Sequence, residues 1–461
     1  MKVYVKGSLT VEELAKMCGG KIVGSTDKKI TAITTDSRDI CSGALFVAIK
    51  GEHFDGNNYL NAAHESGAVC SLAERVPDGF SGCAIVCEST KIALGKIAKA
   101  YKDRISPLTV AVTGSVGKTT TKEFIYAVLS EKYKTLKTEG NFNSDIGLPM
   151  TLLGLSEDDS AAILEMGMSA KGEIEYLSKI ASPRIAVITN IGTSHIGLLG
   201  SREAIRDAKL EIREGLLKDG TLILNGDEPL LAGIDGATYV SFENEDADYY
   251  ISGIVEGENG TAFDLSAKGN KYESVLIPTV GEHNVLNAAY AFAVGSAAGL
   301  GEFEIRRGLL KYKSADMRQQ IYNKGGKVIL EDCYNASPES MIAAIKVLSG
   351  IASRKGGRKV AVLGDMRELG SYSREEHRKV GAAVAAYSID LLFTIGKDAK
   401  EIAESALYFG LEKENVYVFE DIDDVERIGK AIADVTGPSD VILFKASRAV
   451  ALERVAKYIT G

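Results

Sequence analysis

The stretch Thr109-Val-Ala-Val-Thr-Gly-Ser-Val-Gly-Lys-Thr-Thr-Thr-Lys122 decides how the rest of the chain is interpreted. Its apolar, β-branched residues predict a strand, and a glycine turn leads from that strand into a helix that starts near Lys118. Such a loop aims backbone N–H groups, the positive end of a helix dipole and an ammonium group at one point, which suits a polyphosphate. The Thr119 hydroxyl would add a ligand for Mg²⁺.

The loop differs at one position from the common phosphate-binding pattern G-x-x-x-x-G-K-T. The first glycine of that pattern falls at Val112. A chance Gly-Lys-Thr triplet in a surface turn is the alternative interpretation. The predicted strand and helix on either side of the loop favour a phosphate site.

The length and composition are those of a folded protein with several domains. With 461 residues, and about 150 residues for a typical domain, the chain is expected to form three domains. Hydrophobic residues make up 45% and charged residues 25% of the chain, as in ordinary globular proteins. The formal net charge of -9 argues against a nucleic-acid partner, because a phosphate backbone requires clustered lysine and arginine.

The sequence shows neither a targeting signal nor a zinc-binding motif. The N-terminal residues 1–8 lack the apolar stretch of a signal peptide, and the apolar run from Ala288 to Leu300 is too short to span a membrane. The six cysteines include no C-x-x-C pair, so we expect reduced thiols and no zinc site. A cytoplasmic location is expected.

Residues 1–105 mix short strand patterns with helical patches and form the first predicted domain. Thr35-Asp-Ser-Arg38 precedes a strand-like run between Gly43 and Gly51. Ser37 and Arg38 could hold an anionic ligand, or they could be turn residues between strands. On residue chemistry alone the turn is the simpler interpretation. Ile105-Ser-Pro107 suggests the boundary to the next domain, because the proline follows a helical stretch.

Two strands of the central region, residues 106–313, end in candidate ligands. The apolar run 161–164 leads into Glu165, a candidate Mg²⁺ ligand at the carboxyl end of a strand. The strand 184–189 leads to His195, which either contacts metal or phosphate or is a hydrogen-bonded loop residue. Between the phosphate loop and these strands, the polar, glycine-punctuated stretch 140–149 indicates a functional loop.

A helix predicted from about Glu203 to Leu217 places a lysine on its apolar face. Lys209 follows Ile205 by four residues and precedes Ile212 by three, so the three side chains share a side of the helix. A buried ammonium is costly unless it is paired or chemically altered. A lysine that extends its ammonium from the edge of the face to solvent is the alternative.

The end of the central region carries two asparagines on one helix. Residues 249–279 alternate in the manner of several strands, and Gly281-Glu-His-Asn-Val-Leu-Asn287 then opens a mostly apolar helix. Asn284 and Asn287 are three residues apart and share a face, so their amides could bind a purine edge. Helix capping is the alternative explanation for Asn284.

Residues 314–461 show a regular alternation that predicts a doubly wound α/β domain. Polar clusters follow three of the strand-like runs at their carboxyl ends, where such sheets bind ligands. The runs are 327–331, 359–363, 391–395, 416–419 and 441–444, and the clusters are 332–338, 364–370 and 445–448.

These motifs together resemble the Mur ligase family of ATP-dependent amide ligases. The phosphate loop at 113–120 is similar to the ATP loop of the family, in which the position of Val112 needs no glycine. The resemblance implies three α/β domains: a small mixed N-terminal domain (1–105) that binds the UDP-muramoyl peptide, a central P-loop ATPase-like domain (106–313) that binds ATP, and a Rossmann-like C-terminal domain (314–461) that binds D-Ala-D-Ala.

The resemblance also implies roles for individual residues. Lys118, Glu165, His195 and Lys209 would be catalytic, with Thr119, Glu165, His195 and a carbamylated Lys209 around Mg²⁺. Nucleotide contacts are expected from Gly114, Ser115, Val116, Gly117, Lys118, Thr119, Thr120, Asn284, Asn287, Arg318 and Asp332. Substrate contacts are expected from Ser37, Arg38, Asn141, Asn143, Asn335, Lys445, Ser447 and Arg448.

The implied reaction joins D-alanyl-D-alanine to a UDP-N-acetylmuramoyl tripeptide through an acyl phosphate, in peptidoglycan synthesis. The signatures at 35–56, 140–149, 332–338 and 364–370 favour this member of the family. The alternatives are the ligase that adds the third peptide residue, a folylpolyglutamate synthase, or a P-loop switch or transport ATPase. A monomer is expected.

Overall fold

The computed structural model describes residues 1–258 and 260–461, and these residues form three successive α/β segments, each with its own sheet. The N-terminal segment contains β1 (Lys2–Leu9), α1 (Val11–Cys18), β2 (Lys21–Val23), β3 (Ile30–Thr34), β4 (Ala44–Val47), α2 (Leu60–Glu65), β5 (Cys70–Ala73), β6 (Ala84–Val86) and α3 (Thr90–Ile105). Its sheet has the order β1-β3-β4-β5-β6-β2, in which β3 to β6 are parallel and the two outer strands pair antiparallel.

The central segment has the longest sheet, with the order β15-β14-β13-β12-β11-β10-β7-β9-β8. The elements are β7 (Leu108–Thr113), α4 (Lys118–Leu129), β8 (Thr135–Lys137), α5 (Gly147–Leu152), β9 (Ala161–Glu165), α6 (Glu173–Ala181), β10 (Ile185–Ile188), α7 (Ile196–Leu199), α8 (Arg202–Leu210), β11 (Thr221–Asn225), β12 (Ala237–Ser241), β13 (Tyr249–Glu256), β14 (Thr261–Ala267), β15 (Asn270–Ile277), α9 (Glu282–Ala297) and α10 (Glu302–Leu310).

Strand β7 is buried on both faces, as expected of a strand inside a parallel sheet. Val110 and Val112 pack on the side of helix α4, with Phe124 and Val128, whereas Ala111 packs on the opposite side. Strands β9 and β10 pair with β7 on either side and run parallel to it. The carboxyl ends of all three strands therefore meet at one edge of the sheet, and the loops that follow them meet there too.

The C-terminal segment has the order β16-β17-β21-β18-β19-β20, and only its edge strand β16 runs antiparallel to its neighbour among the described pairs. Its elements are β16 (Gln320–Lys324), β17 (Lys327–Asp332), α11 (Pro338–Lys355), β18 (Lys359–Gly364), α12 (Ser373–Ala386), β19 (Leu391–Ile395), α13 (Lys400–Tyr408), β20 (Val416–Phe419), α14 (Val425–Val435), β21 (Val441–Lys445) and α15 (Glu453–Thr460).

The three-domain α/β fold class predicted from the sequence is confirmed, and the five predicted C-terminal strands are present with ends that differ by at most one residue. Strand β16 was not predicted, because Gln-Ile-Tyr-Asn-Lys is polar and lies at an exposed edge of the sheet. Short 3-10 helices occur at Gly56–Tyr59, Glu211–Gly215, Pro229–Leu231, Gly370–Tyr372, Lys413–Asn415 and Arg448–Val450.

The helix predicted from Glu203 to Leu217 was too long. Helix α8 ends at Leu210, and a 3-10 helix, Glu211–Gly215, follows it. The Glu211 carboxylate accepts hydrogen bonds from the backbone N–H of Gly172, at 2.8 and 2.9 Å, so the chain is held against the start of α6. This tertiary contact, which the periodicity does not encode, replaces the last turns of the helix.

In the part of the chain that the structure describes, no helix has both the length and the apolar character needed to cross a membrane.

Candidate active site

The loop between β7 and α4 is a tight turn that depends on two glycines. Gly114 and Gly117 have φ angles of 151° and 84°, which side chains rarely allow. A Cβ atom on Gly114 would lie 1.8 Å from Oγ1 of Thr189, at the end of the neighbouring strand β10. Val112, where the common pattern has glycine, is instead a fully buried strand residue. The close approach that needs a glycine therefore occurs two residues later than the common pattern places it.

The loop is held by the chain that follows β10. The backbone carbonyl of Asn190 accepts a hydrogen bond from the Ser115 N–H at 3.2 Å. Its side-chain oxygen accepts one from the Val116 N–H at 2.9 Å. The Thr189 hydroxyl donates to the Val116 carbonyl at 2.5 Å. These contacts preorganise the turn, which lowers the cost of binding a phosphate there.

Lys118 folds back over the loop. Its Nζ donates to the Gly114 carbonyl at 2.8 Å and lies 3.4 Å from the Ser115 carbonyl. Removal from water lowers the pKa of the Lys118 ammonium, and the nearby Glu165 carboxylate opposes that shift. The ammonium is therefore held at the mouth of the loop, where it can contact a bound phosphate.

Glu165 is fixed through both carboxylate oxygens. Thr119 Oγ1 donates to Oε2 at 2.8 Å, and Asn143 Nδ2 donates to Oε1 at 3.0 Å. Lys122 Nζ lies 4.0 Å from Oε2, so its positive charge partly neutralises the carboxylate. Glu165 itself is only 2% exposed. The structure thus brings together the first helix turn after the loop, the end of β9 and the 140–149 loop.

Lys209 is buried and has no carboxylate partner among the described residues. Its residue exposure is 2%, so the alternative of an ammonium extended to solvent does not apply. Burial lowers its pKa well below the usual range, and the charge of Lys118 lowers it further. Burial and the nearby Lys118 ammonium thus both disfavour the charged form of Lys209.

His195 lies in the loop after β10, in a left-handed backbone conformation with φ of 65°. Its Nδ1 is 2.7 Å from Oε2 of Glu368, a half-exposed residue of the C-terminal segment, although the ring N–H is not aligned for a hydrogen bond. Contact with His195 lowers the pKa of Glu368. Glu368 was not among the residues predicted from the sequence.

A second glutamate of the C-terminal segment contacts the same loop. Oε1 of Glu339 accepts from the backbone N–H of Thr193 at 2.7 Å and from its hydroxyl at 2.9 Å. The loop of His195 is therefore held between the phosphate loop on one side and two C-terminal carboxylates on the other. Glu368 lies within the predicted polar cluster 364–370, but neither glutamate was singled out from the sequence.

A cavity of about 280 Å³ lies between the phosphate loop, helix α9 and the C-terminal segment. Most of the predicted nucleotide residues line it, together with residues that were not predicted, notably His283, Tyr312, Gln319 and Glu339. The predicted residues in its wall are Ser115, Val116, Gly117, Lys118, Thr119, Thr120, Asn284, Asn287, Arg318, Asp332, Asn335 and Lys445.

Buried Lys445 and partly buried Asp332 form an ion pair in the wall of this cavity. Lys445 Nζ lies 2.5 Å from Oδ2 of Asp332 and donates to the Asn335 carbonyl at 3.0 Å. The guanidinium of Arg318 lies over the ring of Tyr334, 4.3 Å from its centre. Asp332, a predicted nucleotide residue, and Lys445, a predicted substrate residue, are thus in direct contact.

Asn284 does not cap helix α9, because Gly281 occupies the cap position and makes no side-chain bond. Its Nδ2 donates to the carbonyl of Val280 at 2.8 Å and to Gln319 at 3.0 Å. Asn287 accepts from the Thr121 hydroxyl at 3.0 Å. The capping alternative is wrong, and both amides belong to the wall of the cavity.

The remaining predicted substrate residues do not line this cavity. The Arg38 guanidinium is exposed and paired with Asp36 at 2.8 Å, in the N-terminal segment with Ser37. Asn141 is exposed at the surface of its loop. In the C-terminal segment, Ser447 accepts the Arg367 N–H at 2.9 Å, and Arg448 pairs with Glu453 at 2.8 Å.

The donors around Thr119 and Glu165 fit Mg²⁺, which prefers hydroxyl and carboxylate oxygens. Among the described residues, no three histidine, cysteine, aspartate or glutamate side chains converge on one point. Lys209 does not count as a ligand while it is an amine or ammonium.

Comparison with known protein families covers most of the chain. Residues 29–102 match the model described as Mur ligase family, catalytic domain; residues 112–295 match the Mur ligase middle domain; and residues 317–448 match the Mur ligase, glutamate ligase domain. The chain is 41% identical over 454 residues to UDP-N-acetylmuramoyl-tripeptide--D-alanyl-D-alanine ligase of Bacillus subtilis, covering 97% of each.

Solved structures show the same relationship. A crystal structure of MurF from Acinetobacter baumannii superposes with a TM-score of 0.90 at 32% identity and covers 99% of both chains. The structure of MurF ligase from Thermotoga maritima in complex with ADP superposes with a TM-score of 0.82 at 31% identity, covering 93% of this chain and 96% of that one.

Proposed function

The chain belongs to the Mur ligase family, and from this we propose that it joins D-alanyl-D-alanine to a UDP-N-acetylmuramoyl tripeptide at the expense of ATP. It is an ATP-dependent peptide ligase of peptidoglycan synthesis, and its products are the pentapeptide precursor, ADP and phosphate. The observation that carries the chemistry is that the phosphate loop lines a cavity between two segments, with Thr119 of its first helical turn bonded to Glu165.

The first step activates the terminal carboxylate of the tripeptide. A carboxylate is a poor electrophile, so one of its oxygens attacks the γ-phosphorus of ATP, the bond to the bridging oxygen breaks, and an acyl phosphate and ADP result. Lys118 and the N–H groups from Gly117 to Thr120 would neutralise the charge on the transferring phosphoryl group, whereas the Ser115 and Val116 N–H groups are bonded to Asn190. Because Asn190 already holds the loop, these donors need no reorganisation during the reaction.

Thr119, Glu165, His195 and Lys209 are the residues that would hold Mg²⁺. When bound, the ion would supply charge neutralisation for the phosphates and for the attacking carboxylate. The hydrogen bond from Thr119 to Glu165 keeps these two oxygen donors side by side. Glu368 contacts His195 from the C-terminal segment and restrains its ring.

We further propose that Lys209 is carbamylated. The neutral amine attacks the carbon of CO₂, a C–N bond forms, and one proton leaves the nitrogen to solvent, so the product is an anionic carbamate. Burial favours this chemistry because it lowers the pKa of the amine. The carbamate would give the site a second carboxylate-like group near Lys118 and would remove the cost of an unpaired buried cation.

The second step forms the peptide bond. The neutral amine of D-Ala-D-Ala attacks the acyl carbon and forms a tetrahedral intermediate. The C–O bond between the acyl carbon and the phosphate then breaks, and phosphate leaves. Water would destroy the acyl phosphate, so the C-terminal segment is expected to close over the site before chemistry. Small-angle scattering profiles that stay unchanged on addition of nucleotide and substrates would contradict this closure.

The proposed substrate contacts follow from the resemblance to the family. We propose that Ser37, Arg38, Asn141 and Asn143 serve the UDP-muramoyl peptide, and that Asn335, Lys445, Ser447 and Arg448 serve D-Ala-D-Ala. In this proposal residues 1–105 bind the UDP-muramoyl peptide, 106–313 bind ATP and 314–461 bind the dipeptide. The protein would act as a cytoplasmic monomer.

Phosphate release tests the proposal directly. The assay combines ATP with UDP-muramoyl tripeptides that end in meso-diaminopimelate or lysine, each with D-Ala-D-Ala or with a single amino acid. Turnover is expected only with the dipeptide. Turnover with a single amino acid alone would favour the ligase of the third peptide residue, glutamate addition to a folate would favour a folylpolyglutamate synthase, and ATP hydrolysis without any acceptor would favour a switch or transport ATPase.

A further inference from the structure

The side chain of Gln319 connects the C-terminal segment to the wall of the nucleotide cavity. Its Oε1 accepts hydrogen bonds from Asn284 Nδ2 at 3.0 Å and from His283 Nε2 at 2.7 Å. Its Nε2 donates to the Val280 carbonyl at 2.7 Å. An amide oxygen can only accept, so the His283 nitrogen that faces it carries the hydrogen. Gln319 therefore docks on the start of helix α9 through its whole carboxamide.

These bonds determine which way the Asn284 carboxamide points. Its Nδ2 donates one hydrogen to the Val280 carbonyl at 2.8 Å and the other to Oε1 of Gln319. Both partners are acceptors that cannot donate. A rotated amide would place its oxygen against two other oxygens and would lose both bonds. Oδ1 of Asn284 is thereby held in one position.

Asn287 is fixed independently from helix α4. Its Oδ1 accepts the hydroxyl hydrogen of Thr121 at 3.0 Å, so its Nδ2 must lie on the other side of the amide. That Nδ2 lies 3.4 Å from Oδ1 of Asn284, a long contact that uses at most one of its hydrogens. One N–H of Asn287 and one lone pair of Asn284 remain for a ligand, and both residues line the cavity.

An acceptor next to a donor is the complement of adenine. Adenine offers an exocyclic amine, which donates, beside the ring nitrogen N7, which accepts, whereas guanine offers two acceptors at the same edge. We propose that Gln319 is a positioning residue for base selection: by orienting Asn284, it makes the Asn284–Asn287 pair accept adenine and reject guanine. The inference rests on the proposed function, because it concerns the base of the nucleotide which that function uses.

Base selection should then depend on the docking of the C-terminal segment. Gln319 has a left-handed backbone with φ of 44°, as does Met317 with φ of 56°, a conformation that is costly outside glycine. The backbone N–H of Gln319 is directed to Oδ1 of Asp332 at 3.3 Å. The conformation is thus held by contacts on both segments, and undocking would release Gln319 from Asn284.

The test compares nucleotide binding by Gln319→Leu and the wild type, with ADP and GDP titrated by calorimetry. The affinity ratio of ADP to GDP is expected to fall roughly tenfold in the variant, mainly through weaker ADP binding, because one oriented pair supplies discrimination of that order. Gln320→Leu is the matched control. Its side chain makes no hydrogen bond among the described residues, so the wild-type ratio is expected there.

A double variant separates orientation of Asn284 from a general loosening of the site. Asn284→Ala alone should lower the ratio, and adding Gln319→Leu should lower it no further, because the two residues act as a unit. An unchanged ratio in Gln319→Leu, equal weakening of ADP and GDP, or a wild type without base preference would overturn the proposal. A wild type that prefers ADP but does not ligate D-Ala-D-Ala would count against the proposed function and leave this inference supported.

Discussion

The hydroxyl of Thr119 donates to Oε2 of Glu165 over 2.8 Å, so the first turn of the helix after the phosphate loop is tied to the end of the neighbouring strand. The two residues are 46 apart in sequence. They meet because β7 and β9 are adjacent and parallel, which brings both carboxyl ends to one edge of the sheet. This pair is the centre of the proposed metal environment.

Replacing Thr119 with valine tests that pair. Thr119→Val keeps the shape of the side chain but removes the hydroxyl, so the Mg²⁺ concentration for half-maximal rate should rise and kcat should fall about 10- to 100-fold. The measurement is the rate of phosphate release over a Mg²⁺ titration. Thr119→Ser retains the hydroxyl and should stay near the wild type. Equal kinetics for the valine and serine variants would contradict the assignment.

Lys118→Ala is expected to abolish phosphoryl transfer while the fold persists. Its ammonium contacts only loop carbonyls in the described structure, and the loss of one preorganised charge donor costs roughly 10²-fold or more in kcat. Phosphate release and circular dichroism measure the two effects. Lys171→Ala, an exposed lysine of the same segment, is the control. Undiminished turnover in Lys118→Ala would remove the loop from the mechanism.

Lys209→Ala should lose activity and partly regain it when millimolar formate or acetate is added. The small carboxylate would occupy the place of the carbamate, whose formation is favoured by the lowered pKa of the buried Lys209 amine. The first readout is the rate of the variant with and without formate. The second is the mass of the intact wild type, to which a carbamate adds one CO₂. An active Lys209→Ala variant without any additive would rule out the proposed role.

The contact between Glu368 and His195 should make the docking of the C-terminal segment depend on pH. Because contact lowers the pKa of Glu368 below its ordinary value of 4.5, the carboxylate stabilises the folded form above that value and loses its contribution as pH falls through the lowered pKa. Glu368→Gln should therefore lower the thermal midpoint at neutral pH by about 1–2 °C, the scale of a half-exposed pair.

The difference between the wild type and Glu368→Gln should shrink as the pH is taken below 4.5. Differential scanning calorimetry over a pH series checks this. Glu404→Gln, at an exposed position without an ion pair among the described residues, should show no such trend. A difference that grows toward acid pH would have the wrong sign for the proposed contact.

Gly114→Ala tests the geometry of the loop. The added Cβ would collide with Thr189 Oγ1 in a conformation that alanine rarely adopts, so the free energy of unfolding should fall by about 3 kcal/mol. Gly140→Ala is the control, because Gly140 also has a positive φ of 53° but has open space around it. It should cost about 1 kcal/mol, from the backbone alone. Urea unfolding measures both, and equal losses would contradict a collision.

Sequence patterns of a few residues were enough to predict the strands, the loop and the helix that depend on neighbouring residues. The strand, loop and helix around Lys118 and the C-terminal strands followed from β-branched runs, glycines and helix composition, which act over one element at a time. The same reasoning overextended helix α8, because the carboxylate of Glu211 is drawn to the backbone of Gly172, a partner 39 residues away. Periodicity carries no information about such a partner.

By itself, the sequence indicated the phosphate loop, the place of Lys209 on an apolar helix face and the α/β alternation after residue 314, since these depend on local composition and spacing. The tertiary structure alone decided that Glu339 and Glu368 hold the loop of His195, and that Gln319 orients Asn284. The physical reason is that hydrogen bonds between segments depend on how separately folded sheets dock. Polar residues of that kind look like ordinary surface residues until the partner segment is in place.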